Sequence, residues 1–228
     1  LAVTHHFHGP AEAGAFVAMR KLCQPPLDLS MMIWGVVFSH LAGHWESGRQ
    51  QAAREMGNLT YKAVVLALMS VSVLILVTGP WWIRLLRPEY RPYVALLGGL
   101  LLFCQSWANL GLASMASKLR ERPGVIAAFS LGGLLAIALL AWLWVPGGRA
   151  MAASRAAGLG MYWALLMGAV YLGATGFRTH VATQFLALSP LLLLAPPLWA
   201  AAGWLAVLAA AAATSLVFNP HEKQVLRQ

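Results

Sequence analysis

Lys21, Gln24 and Asp28 stand at i, i+3 and i+7, a spacing that puts all three on one face of a helix. Gly35 and Ser39 continue that face. An ammonium, an amide and a carboxylate in one stripe suit the reception of an anion: the cation takes the anionic group, and the acid tunes the cation or exchanges partners with it. Ionisable groups inside a membrane span cost about 2.5–3.5 kcal/mol each on insertion scales. Such a stripe therefore turns toward a water-filled cavity or a partner helix. Arg20 lies beside it. The competing reading for Arg20 and Lys21 is that both snorkel from the helix end to the interface. A second pair, Gln105 and Asn109, is spaced i, i+4 with Ser106 alongside. Amides donate and accept, so this pair suits sugar hydroxyls. It equally suits hydrogen bonding between helices, worth about 0.6 kcal/mol per contact.

Other chemistries find little support. His5, His6 and His8 cluster near the start, and His40 and His44 are spaced i, i+4. No cysteine or carboxylate spacing accompanies them and HExxH is absent, so no metal and no cofactor is expected. There is no GxSxG, no Walker glycine loop and no paired carboxylates. With 7 acidic residues in 228, general-base candidates are few, and the chain does not read as an enzyme. Cys23 and Cys104 both sit in apolar stretches, as small buried hydrophobes do.

The elements that must position these residues follow from composition. The chain is 60% hydrophobic and 10% charged, with a mean hydropathy of +0.68. A soluble domain carries about 25% charged residues. The expectation is an all-α integral membrane protein, a single transmembrane helical domain over residues 1–228. The net charge of +9 is distributed in short clusters between apolar runs, which argues for membrane loops and against nucleic acid.

A helix needs about 20 apolar residues to cross the hydrocarbon. Five spans are expected at 13–41, 59–82, 93–117, 125–145 and 158–177. The stretch 182–218 is too long for one crossing, and Pro196-Pro197 sits near its middle. It reads as two short spans, 182–195 and 198–218, with one kinked helix as the alternative. The total is a bundle of six or seven helices. If the loop 43–58 is cytoplasmic, nine basic residues share its side: Arg49, Arg54, Lys62, Lys118, Arg120, Arg122, Arg178, Lys223 and Arg227. Five lie opposite: Arg84, Arg87, Arg91, Arg149 and Arg155. The bias puts the C-terminus in the cytoplasm. Trp34 and Trp107 sit near mid-span and suit either sugar stacking or core packing. Gly98-Gly99, Gly132-Gly133 and the series Gly168, Gly173, Gly176 permit close helix approach.

The run from Gly9 through Gly14 and Phe16 to Arg20, Lys21 and Leu22 resembles the start of a second-lobe helix in bacterial polysaccharide flippases. These are the Wzx-like oligosaccharide translocases of the MOP superfamily. The loop from His44 and Glu46 to Arg54 and Glu55, with its alternating charges, is similar to their cytoplasmic loop. Leu85-Leu86-Arg87-Pro88-Glu89-Tyr90 resembles a family element ending in Glu-Tyr, with Arg87 where glycine is usual. Lys118 to Arg122 matches a short basic turn. The resemblance covers residues 9–145 and implies one lobe of a two-lobe transporter, the C-terminal one, without the first six spans. It implies that undecaprenyl-pyrophosphate-linked oligosaccharides are flipped across the bacterial inner membrane for surface polysaccharide synthesis. The implied partners are that lipid-linked substrate, the bilayer, the N-terminal lobe and polysaccharide-assembly proteins. Lys21 is then the cation that meets the pyrophosphate, Arg20 the second, and Gln24, Asp28, Gln105 and Asn109 line the path. The alternatives are a multidrug or cation antiporter of the same superfamily, which needs acidic cavity residues, and a membrane-embedded polymerase or glycosyltransferase, which needs a large loop or an acid/base pair.

Overall fold

The computed structural model describes residues 2–86, 88–145, 150–177, 185–213, 217–218 and 222. All regular structure among them is helical. Among the described residues, the helices whose bounds are fixed follow in chain order as α1 (Ala2–Cys23), α2 (Pro25–Glu46), α3 (Gln50–Leu86), α4 (Leu96–Asn109), α5 (Gly111–Leu119), α6 (Pro123–Trp144), α7 (Ala150–Ala174) and α8 (Pro197–Ala213). Two 3-10 turns, Pro88–Tyr93 and Ser189–Leu194, join them where prolines interrupt the ladder.

Four segments are long and apolar enough to cross a membrane: Gln50–Leu85, Leu96–Leu119, Pro123–Trp144 and Met151–Ala174. They correspond to the expected second to fifth spans. The bundle of six or seven crossings is not reproduced. The expected first span, 13–41, is two helices parted at Gln24, because Pro25 and Pro26 supply no N–H to the carbonyls one turn back. The stripe of Lys21, Gln24 and Asp28 therefore straddles a break in the hydrogen-bond ladder, at which Gln24 keeps helical backbone angles (φ −75°, ψ −31°). The expected span 93–117 is interrupted between Asn109 and Gly111. Of the expected span 182–195, Phe185 and Leu186 are helical, a turn at 187–188 and the short 3-10 turn follow, and 182–184 lie outside the described residues. The chain breaks before Pro197, and α8 is 17 residues long, short of a full crossing. The two halves are separate, as the proline pair leads one to expect, in place of one kinked helix.

The bundle is organised on α4 and α7. In the Leu96–Leu119 segment 78% of the most apolar window is buried, against 11% in α6. α6 is the outermost span, with Leu131, Leu134, Leu135, Leu139 and Trp142 exposed. Glycines set the α4–α7 and α6–α7 distances. A Cβ on Gly99 meets the Ser154 carbonyl carbon at 2.4 Å, and one on Gly160 meets the Ile137 nitrogen at 2.6 Å. Backbone lies on backbone at both crossings, as membrane helices with small residues pack.

The helix ends at one end of the bundle are tightly closed. Gly48 (φ 77°) follows α2 and Gly176 (φ 70°) follows α7, with Arg49 N–H on the His44 carbonyl and Phe177 N–H on the Leu172 carbonyl. Both are left-handed caps of the kind that glycine favours. Trp45 stacks on Phe177, centroids 5.6 Å apart, and Arg120 donates to the Thr175 carbonyl at 2.9 Å. The described members of the larger basic group therefore share one end; Arg178, Lys223 and Arg227 lie outside the described residues.

The packing predicts a contrast between two glycines. Gly99→Ala drives a methyl into the α7 backbone and is expected to cost about 1–3 kcal/mol. Gly43→Ala meets nothing within 4 Å and is expected to be neutral or stabilising by up to about 1 kcal/mol. Thermal unfolding in detergent, followed by circular dichroism, compares them. Equal midpoints would remove the role given to the α4–α7 contact.

Candidate functional site

Arg20 and Lys21 form the last turn of α1, and Asp28 lies in the first turn of α2. Each charge faces the helix end that attracts it, cations at the carbonyl end and the acid at the amide end. Around the break, Gln24 N–H reaches the Lys21 carbonyl at 3.3 Å, and the Gln24 carbonyl accepts from Leu27 and Asp28. The Gln24 side chain donates to Asp28 Oδ1 at 3.2 Å. Arg20, Lys21 and Asp28 are exposed. Neither cation has a carboxylate within ion-pair distance among the described residues. The opposite side of α1 is buried through Phe16, Met19 and Cys23, and Cys23 Sγ approaches the Leu97 carbonyl at 4.0 Å. Both cysteines are free and buried. The histidines near the start have no described side chains.

Gln105 and Asn109 lie elsewhere. Both are buried in α4, where Ser72 Oγ of α3 donates to Gln105 Oε1 at 3.0 Å and Gln105 Nε2 donates to Asn109 Oδ1 at 3.2 Å. This is an interhelical network between α3 and α4. Two of its neighbouring atoms, Asn109 Nδ2 and Ser106 Oγ, are buried without a partner. The structure thus joins Gln24 to Asp28 and Gln105 to Asn109, and two cavities, one beside α2 and one beside Pro80, are lined by none of the six candidate residues.

The first cavity, about 440 Å³, is a groove between α2, α4–α5 and α6. Trp34, Phe38, Phe103 and Trp107 line it, and Lys118 closes one end. Lys118 Nζ stands 5.6 Å from the Phe38 ring centroid. Trp34 is fixed in its wall: its indole N–H donates to the Ala108 carbonyl at 3.1 Å, which Ser30 also engages at 3.3 Å. Gly111 makes room for the ring, since a Cβ there meets the indole at 2.3 Å. Of the two mid-span tryptophans, Trp34 is therefore packed and Trp107 is 45% exposed. The second cavity, about 610 Å³, lies at the opposite end of the bundle, among Pro80, Gly98, Met151 and Leu193, with Arg91 and Arg155 at its edge.

One charged residue was missed as a structural feature. Lys62, counted above as a loop cation, is 1% exposed and pairs with Glu222 at 2.8 Å through both carboxylate oxygens. Its ammonium also lies 5.8 Å from the Phe218 centroid. The signal was present: Asn58, Tyr61, Lys62, Val65, Met69 and Ser72 follow helical spacing, and all are buried.

No family model, curated protein or solved structure matches this chain.

Removing one partner of a buried ion pair strands the other charge, at about 3–5 kcal/mol. Glu222→Gln is therefore expected to lower the unfolding midpoint, and adding Lys62→Met is expected to restore most of the loss. A single variant as stable as the wild type would show that the pair contributes nothing.

Proposed function

We propose that this chain is one lobe, the C-terminal one, of a transporter that flips undecaprenyl-pyrophosphate-linked oligosaccharides across the bacterial inner membrane by alternating access. The single observation that carries the reading is the break at Gln24. Two exposed cations, without carboxylate partners among the described residues, flank it on one side and a carboxylate on the other. Discontinuous helices are where transporters of this architectural logic bind charged groups, since half-helix ends supply polarity at membrane depth. The resemblance of the run 9–22 to flippase helices lies on the helix that leads into that break.

In this reading Lys21 receives the pyrophosphate and Arg20 assists. Asp28, held by Gln24, supplies the negative charge that keeps the site from retaining the anion. Gln105 and Asn109 take a positioning part, because their polar groups are used between α3 and α4. A polymerase or glycosyltransferase gains nothing from this geometry, and a cation antiporter would need more acid than Asp28 beside the break.

Two outcomes test the proposal. Lys21→Ala in the full gene product, placed in cells lacking their own copy, is expected to lower surface polysaccharide about tenfold. That is the loss of one charge-assisted contact of about 1.5 kcal/mol. Lys21→Arg is expected to retain export, and immunoblotting should find both variants in the membrane. Undiminished polysaccharide from Lys21→Ala and from the Arg20→Ala, Lys21→Ala pair would overturn the assignment. For orientation, a cysteine at exposed Ser47 is expected to react with a membrane-impermeant maleimide only after the cytoplasmic face is opened.

A further inference from the structure

The groove between α2, α4–α5 and α6 has a direction. From Phe103 to Lys118 it follows α4–α5 for 15 residues, about 22 Å at 1.5 Å per residue. α6 returns beside it, so that Ile126 lies near the Lys118 end and Ile137 near the Phe103 end. That length is somewhat more than half of the ~30 Å hydrocarbon layer. One end is therefore at an interface when the other has passed the midplane. The walls are mostly apolar and aromatic, with Ser30, Ser114 and Ser130 the uncharged polar side chains among them, and they open sideways past exposed Met31, Trp107 and Leu134.

The charges are confined to one end. Lys118 is exposed and, among the described residues, has no carboxylate in ion-pair range. Its turn also carries Arg120 and Arg122 against one acid, Glu121. Arg120 is partly used on the Thr175 carbonyl. The amide end of α6 begins at Pro123, adding positive potential at the same place. An apolar trough of this length, open to the bilayer and cationic at its interfacial end only, complements an amphiphile with one chain in the trough and an anion above it.

We propose that this groove is a binding site for one anionic phospholipid of the surrounding bilayer, with an acyl chain along the aromatic wall and its phosphate at Lys118. Bilayer phospholipid is the occupant because it is present at every laterally open face in great excess, so that mass action fills the groove. A polyprenyl phosphate carries the same chemistry at far lower abundance. The site is distinct from the proposed transport step: Leu27 lines the groove, but none of the charged or amide residues at the α1–α2 break does.

Quenching of tryptophan fluorescence tests this on the full chain in neutral detergent, with brominated-chain phosphatidylglycerol against brominated-chain phosphatidylcholine. Lipid at the exposed tryptophans quenches with either headgroup, so the preference between headgroups isolates the groove. Phosphatidylglycerol is expected to reach half-saturation at about fivefold lower mole fraction, the effect of one basic residue near the surface. Lys118→Glu should abolish the preference. Trp107→Phe should shrink the saturable signal. Gly35→Leu, at a position where an added Cβ meets nothing within 4 Å, should block the groove to both lipids while the helical circular dichroism spectrum is retained. Equal titration by the two lipids overturns the proposal, as does a preference that survives Lys118→Glu. Absence of saturable quenching by either lipid would mean that the groove is closed by protein. Displacement of phosphatidylglycerol by an equimolar polyprenyl phosphate would assign the groove to isoprenoid carriers instead.

Discussion

Backbone contact along α7 is the constraint on which the other packing depends. In lipid, moving an apolar side chain from acyl tails to a neighbouring helix brings little hydrophobic gain, so helices associate through close van der Waals contact and polar groups. Gly99 and Gly158 let α4 and α7 touch main chain to main chain, and Gly133 and Gly160 do the same for α6 and α7. Gly168 admits Leu110 and Ala113, which seats the α4–α5 junction on α7. With α4 and α6 held on opposite flanks of α7, α4 is enclosed and α6 presents its leucines outward.

Enclosure of α4 then decides what its polar residues do. Gln105 and Asn109 cannot reach water from a buried helix, so they hydrogen-bond to each other and to Ser72. The same pressure acts at the basic end of the bundle. Asn58 donates to the Phe177 carbonyl and Arg120 to the Thr175 carbonyl, which satisfies carbonyls that the end of α7 would leave orphaned. Lys62 is buried deeper and draws Glu222 from the chain's last residues to balance it. Much of the positive charge at this end is therefore taken up in holding the fold together.

How legible this was in the sequence depended on what interrupts each apolar run. The spans that became α3, α6 and α7 carry no charge in their centres, and their existence followed from length alone. Their ends did not: α3 runs from Gln50 through Pro80 to Leu86, because packing can extend a helix past residues that propensity would exclude. Pro25-Pro26 was legible as a bend and proved to be a break, since two consecutive residues without N–H remove two ladder bonds together. The tail was the least legible, because an alanine- and leucine-rich run reads the same in a 3-10 turn and in a helix. Among the charged residues, Lys21 drew attention through its carboxylate and amide neighbours and is exposed. Lys62 has no such local partners and is buried. The difference arises from Glu222, 160 residues away, a separation that no local pattern encodes.

The break at Gln24 and the groove ending at Lys118 share one wall, and that wall is α2. Its start is an interruption of the hydrogen-bond ladder at Gln24 and its end is the left-handed turn at Gly48. Between them Leu29, Met31, Met32 and Val36 are exposed, and the buried residues are Pro26, Leu27, Ser30, Trp34 and Leu41. No glycine of α2 brings it to backbone distance of a neighbour: Gly35 and Gly43 both face open space. Displacing α7 would separate main chain from main chain at several crossings at once. Displacing α2 would release side-chain contacts along one stripe and turn at two points where the ladder is already interrupted, which is how hinged elements absorb motion. A helix held in this way can carry Asp28 at one end and Phe38 beside Lys118 toward the other as a single rod.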